Sequence, residues 1–359
     1  MLGGTAMRSI RKTGFLAALP RALTDPVVLG LVGLSVIAFL GLLVHDALLL
    51  GRTAYHPEDA PLAAPGAAWR SLLALALSVG IALAVRRAQD APAALDRAET
   101  VIAGLASVGV LALGALLLAD PILFGRLAWE DGPTETLSAV ATGLGAIVFA
   151  WVAVSAARRR AVTLAAGAGV LALGLVALTG EEVSWGQRIF GVETPPDLAS
   201  INDQGEMNLH NVVTEESELL YYVGGFALLI GLPFVADARG RSGPLGPLLP
   251  ARAVALTAAP MAALDYDLWG VLPVQMTTWL TLAALMVWGG RRANAAWLLA
   301  ACVLAVQIVV LWQGDTMVRR WDVKEHKELV LALGFLAYAA SAARAERRAR
   351  RGSQAASAA

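Results

Sequence analysis

Thr100–Ala119, TVIAGLASVGVLALGALLLA, is the stretch whose reading decides the fold. It carries no charge, no proline and no amide side chain. At 1.5 Å rise per residue it is as long as a bilayer's hydrocarbon core is thick, about 30 Å. Eight further stretches read the same way, at about 27–50, 69–85, 135–156, 161–180, 216–236, 271–290, 293–313 and 328–343. A tenth, about 253–270, is marginal. Its apolar part ends at Leu264 and contains Pro260, and it reaches span length only by including Asp265 and Asp267. The 359 residues are 57% apolar and 16% charged, with mean hydropathy +0.64. Soluble domains sit nearer 45–50% and about 25%. The sequence predicts an all-α integral membrane protein.

Positive charge tests the count independently, because basic residues stay on the cytoplasmic side. With ten spans and a cytoplasmic N-terminus, 20 of the 28 basic residues fall inside. Omitting the 253–270 span would put Arg291, Arg292 and the arginine-rich tail outside. The expectation is therefore ten transmembrane helices with both termini cytoplasmic, in a cytoplasmic (inner) membrane. Residues 1–345 form a single polytopic membrane domain, and 346–359 read as a disordered basic tail near anionic headgroups. The stretch before Pro20 is too short to read as a cleaved signal peptide. No polar segment is long enough for a soluble domain. Zero net charge gives no signal for nucleic acid, and the lone Cys302 excludes disulfides and cysteine-ligated metal centres.

Acidic residues run the other way, with 22 of 28 on the outer side. Trp129-Glu130-Asp131-Gly-Pro-Thr134-Glu135 opens the fourth span, where Thr134 is a plausible cap and Glu135 suits the helix dipole, leaving Glu130 and Asp131 unexplained. Glu181 and Glu182 close the fifth span, at the helix end whose dipole disfavours them, beside Ser184, Trp185, Gln187 and Arg188. In 202–211, NDQGEMNLHN, a helical reading puts Glu206 and His210 at i, i+4 on one face, within reach of one proton-transfer site or one cation. Asp265-Tyr-Asp267 ends the weak span, and Trp312-Gln-Gly-Asp315 ends the ninth. Arg319 and Arg320 form the one adjacent basic pair outside, suited to a phosphate or carboxylate or to interfacial snorkelling. Trp129, Trp185, Trp269, Trp312 and Trp321 read as an aromatic belt. No nucleotide-binding loop, His-Glu-x-x-His or nucleophile elbow is present.

Spans 3–6 and 7–10 share an order of features, including Glu215-x-x-Glu218-Leu and Glu325-x-x-Glu328-Leu at the sixth and tenth spans. A four-span offset keeps orientation, which would make this a parallel repeat. EEVSWGQRIFGVETP followed by NDQGEMNLHN, over 180–211, resembles a pattern in uncharacterised bacterial polytopic membrane proteins. That resemblance implies no activity.

Three functions are open. The first is a membrane-embedded enzyme acting at the outer leaflet on a lipid or lipid-linked substrate. Glu181, Glu182, Glu206, His210, Glu130 and Asp131 would be its catalytic groups. Arg188, Gln187, Trp185, Arg319 and Arg320 would bind substrate, and Glu182, Glu206 and His210 are the candidate ligands should a divalent metal be bound. The second is an accessory subunit of a membrane complex, favoured by plain Ala/Leu/Gly helix surfaces. The third is a proton- or cation-coupled transporter, disfavoured by span middles of Ala, Leu, Val and Gly. The electrostatics predict that Glu181 and Glu182 meet Glu206 and His210 in a partly buried pocket roofed by the 180–215 connection.

Overall fold

The computed structural model describes residues 26–45, 48, 67–88, 93–129, 131–202, 204–290, 294–319 and 321–358. The main elements are α1 (Pro26–His45), α2 (Ala67–Ala88), α3 (Arg97–Ala119), α4 (Pro121–Leu127), α5 (Pro133–Arg158) and α6 (Val162–Glu182). They continue with α7 (Thr214–Phe226), α8 (Arg252–Ala258), α9 (Leu272–Gly289), α10 (Ala295–Gln313) and α11 (Asp322–Ala358). No strand occurs among the described residues. Among the described residues seven helices are long and apolar enough to cross a membrane, and α2 adds a shorter apolar run, Ala68–Leu83.

Helix α3 shows why water is the wrong solvent for this surface. Asp96 and Glu99 start it with a capping box, each side chain bonding the other's backbone N–H (2.8 and 3.0 Å). One face, Ala103, Ser107, Val110, Gly114 and Leu117, is buried against its neighbours. The opposite face, with Val101, Leu105, Val108 and Leu111 exposed, is more apolar than the buried one. Helices packed through small residues with large apolar side chains facing out are those of a membrane-integral protein.

α5 packs along both α6 and α11, and α3 packs along α10. α8 sits in the middle, against α3 and α11. Here the marginal tenth stretch departs from a full span. The helix runs only from Arg252 through a 3-10 turn ending at Ala263, and the chain is non-helical at Leu264–Tyr266 before a short turn at Asp267–Gly270. Val254, Ala255, Leu256, Ala258, Ala259 and residues 261–264 are all within 1% of complete burial, and Pro260 is buried with them. Broken backbone at membrane depth is tolerated where protein encloses it. The proposed repeat therefore pairs full-length α3 with a half-helix.

α7 continues through one π-helical turn, Ala227–Gly231, into Leu232–Arg239. The C-terminal end also differs from expectation. α11 does not stop at Ala345 but runs to Ala358, and Glu346 is completely buried, accepting from Ser155 Oγ at 2.7 Å and Arg159 Nε at 3.0 Å. A disordered tail starting at 346 would leave Arg159 without this partner.

Candidate functional site

Glu181 and Glu182 occupy the last turn of α6, followed by Ser184, Trp185 and Gly186, all at positive φ. This left-handed run reverses the chain and lays the Trp185 indole over Gly180, where a Cβ would come within 2.8 Å of the ring. Trp185 Nε1 then donates to Glu181 Oε1 at 2.7 Å. The other oxygen of Glu181 accepts from the backbone N–H of Leu209 (2.6 Å) and of His210 (2.9 Å), and lies 3.3 Å from His210 Nδ1. The adverse helix end is thus offset by a dense set of donors. Glu181 pins the long connection to α6. Burial holds the His210 imidazole below the ordinary histidine range, against the opposing pull of Glu181.

Residues 204–211 are a set of turns with no helix, so Glu206 and His210 do not share a helical face. Asn202 Oδ1 accepts from Gln204 N and Glu206 N (both 3.0 Å), while Ser184 Oγ and Asn208 Nδ2 donate to Glu206 Oε2. Gln187 Oε1 takes the Met207 N–H at 2.6 Å. These polar residues stitch the connection together. Glu206 is turned to Ser184 and His210 to Glu181, so the trio Glu182, Glu206 and His210 is not assembled as a ligand set. Among the described residues no group of three His, Cys, Asp or Glu could hold a metal ion.

Glu182 is different. It makes no hydrogen bond among the described residues, and it lines a cavity of about 590 Å³ between α6 and α7. The walls are apolar, with Val170, Leu171, Leu175 and Leu178 of α6 facing Leu220 of α7 and Leu228 of the π turn. Val170 and Leu220 are themselves 69% and 76% exposed, so the cavity opens at an apolar part of the surface. From Val170 to Glu182 it runs about 18 Å along α6. Its polar end holds Glu181, Glu182, His210, Ser217, Glu218 and Glu328. Glu182 also feels the charges of Glu135 and Glu325.

Carboxylates from α5, α6, α7 and α11 thus gather at one end of the bundle, and most have identifiable partners. Glu135 accepts from Asp131 N at 2.6 Å, Glu218 is held by Lys324 Nζ (2.9 Å to each oxygen), and Glu328 accepts from Tyr222 Oη at 3.0 Å. Glu325, like Glu182, makes no hydrogen bond among the described residues. Tyr221 lines the same cavity with a buried hydroxyl that bonds no described residue.

Beside the cavity lies a second buried cluster. Asp265, at the break after α8, pairs with Lys327 Nζ and accepts from Thr278 Oγ1 at 2.5 Å. Its backbone exchanges two hydrogen bonds with the Gln307 amide. Lys327 also sits 3.9 Å from the Tyr222 ring centroid. Asp265 and Lys327 are both almost completely buried. Sequence reading left Tyr221 and the Asp265–Lys327 pair unidentified. Lys327, at the edge of the 328–343 stretch, was the available signal for the pair, since a charge at membrane depth needs a partner.

Several expectations change. Arg319 is occupied, with Nε on Asp322 Oδ1 at 2.8 Å and Nη2 on the Ala128 carbonyl at 3.2 Å. Gly132, not Thr134, is the N-cap of α5, and Thr134 Oγ1 faces His326 Nδ1 at 3.5 Å. Trp129, Trp185, Trp312 and Trp321 are about half-exposed or more at the acidic end, whereas Trp269 is buried edge-on against Trp279. Glu130, Arg320 and the side chain of Arg188 lie outside the described residues. Comparison with protein-family models, curated proteins and solved structures found no match for this chain.

Proposed function

We propose that the chain is a membrane-embedded enzyme that takes a lipid or lipid-linked substrate from the outer leaflet, with Glu182 as its proton-transferring group. One observation carries this reading: an apolar cavity, open at an apolar part of the surface, ends at a carboxylate that no described protein group occupies. The apolar wall keeps bulk water from the substrate's tail, while the polar end leaves room for a headgroup. A carboxylate placed there can accept a proton from a substrate group and return it. Glu181 and His210 position the roof over the cavity. Arg319, held by Asp322 and the Ala128 carbonyl, is given no substrate contact in this reading.

The acidic end faces outward in this reading, because 20 of the 28 basic residues lie at the other side of the proposed topology. α1, α2 and the broken α8 segment bring the crossings to ten, with both termini cytoplasmic in an inner membrane.

A transporter is the second reading, favoured by the buried Asp265–Lys327 pair at a broken helix. Lipid profiles of cells producing the wild-type chain, Glu182→Gln or neither separate the two. A lipid species that changes with wild type and not with Glu182→Gln supports the enzyme. Identical profiles, together with a proton or cation flux in vesicles that Asp265→Asn abolishes, would replace it by the transporter.

A further inference from the structure

We infer that the polar end of the cavity receives an ammonium group, so that the amphiphile it takes carries an amine head on apolar tails. This rests on the lateral-cavity reading above and adds the chemistry of the head.

Glu181, Glu182, Glu218 and Glu328 line the polar end, and Glu135 and Glu325 reach it by charge. The described cations nearby are already committed. Lys324 is held by Glu218, Lys327 by Asp265 and Arg319 by Asp322. Burial lowers the proton affinity of His210, against the opposing pull of Glu181. Neither Glu182 nor Glu325 takes a hydrogen bond from a described residue.

The Tyr221 hydroxyl is a separate observation. Its oxygen is buried, has no partner among the described residues, lines the cavity and feels Glu182, Glu325 and Glu328. A phenol in that position can donate to a carboxylate and still accept a bond. Among the described residues, two carboxylates and a phenol oxygen therefore lack a donor, and each nearby cation is held by another carboxylate. A phosphate supplies only acceptors and negative charge. Water supplies donors and no charge. An ammonium supplies three donors and the charge, and charge-assisted bonds of this kind are the strong ones. A bare inorganic cation would satisfy the carboxylates but leave about 18 Å of apolar wall without a function.

The test uses the full chain in phosphatidylglycerol vesicles with three photoreactive probes bearing a diazirine in the same acyl chain. The probes are phosphatidylethanolamine, its N-acetyl derivative and phosphatidylglycerol. Labelled peptides are mapped by mass spectrometry. Over residues 170–182 and 217–228 the amine probe should exceed the N-acetyl probe by about tenfold. Glu182→Gln with Glu325→Gln should bring the two to parity. Tyr221→Phe, which removes a hydroxyl that bonds no described residue and so leaves the fold intact, should reduce the preference several-fold. Glu193→Gln, exposed on the connection, should keep it.

Equal labelling of the cavity by the amine and N-acetyl probes in the wild type overturns the ammonium and leaves the lateral cavity standing. The same holds for a preference that survives both the double variant and Tyr221→Phe. Labelling of the cavity no higher than of the lipid-facing side of α3 overturns both.

Discussion

Asp265 and Glu182 are carboxylates in the same acidic half of the bundle, and the protein treats them in opposite ways. Asp265 is sealed in, with a lysine, a threonine hydroxyl and a glutamine amide around it. Glu182 faces a cavity with no described donor. The other end of the molecule follows the Asp265 pattern. Glu99 is 3.0 Å from Arg252, Asp237 takes the Trp288 indole N–H at 3.0 Å, and Glu346 is bound by Arg159. Where this protein uses a buried charge to hold helices together, it supplies the partner. An unpartnered acid at an open cavity is left for something outside the chain.

The largest expected effect tests the sealed member of the comparison. Lys327→Met strands Asp265 in a nearly dry site, which costs about 3–5 kcal/mol when one half of a buried pair is removed. The melting temperature of the detergent-solubilised protein should fall sharply, and Asp265→Asn added to Lys327→Met should restore most of it. Glu182→Gln should melt at or above the wild-type temperature, because it removes a like charge and no hydrogen bond. A wild-type melting temperature for Lys327→Met, or a collapse for Glu182→Gln, would break the comparison.

Glu181→Gln sharpens it, since Glu181 sits beside Glu182 yet belongs with Asp265. Weakening its bonds from Trp185, Leu209 and His210 should cost about 1.5–3 kcal/mol. Hydrogen exchange at the amides of Leu209 and His210 should speed up, with α6 itself little changed. Unaltered exchange there would mean that Glu181 is not the pin.

The smallest effect concerns His210. Burial lowers its proton affinity in the folded state, so the unfolded chain binds the proton more tightly below the ordinary histidine value of about 6.5. Stability should therefore be flat above that pH and decline as pH falls through it. His210→Gln should flatten the decline, seen as melting temperature against pH. A decline of the same size in the variant would assign it to another group.

The membrane class was legible because hydropathy is a local property. Thr100–Ala119 is a spanning helix whatever surrounds it. The weak 253–270 stretch was legible only as an anomaly. Its acids could complete a span or interrupt one, and Lys327, sixty-two positions from Asp265, decides between them. Glu181 and Glu182 drew attention for a sound reason, the adverse helix end, but that reason applies equally to both. The i, i+4 reading of Glu206 and His210 failed because Asn202 captures the backbone N–H groups of Gln204 and Glu206 in a turn.

The sequence by itself determined that the chain is helical, that it belongs in a bilayer, and that its acidic and basic residues are segregated along it. Those follow from composition and period, which neighbours in the chain share. Only the tertiary structure decided which acids are spent. Glu181 is met by Trp185 four residues on and by backbone N–H groups nearly thirty residues away, Asp265 by a lysine on another helix, and Glu182 by an open cavity. The cost of a charge at membrane depth depends on the donors that surround it, and these come from distant parts of the chain.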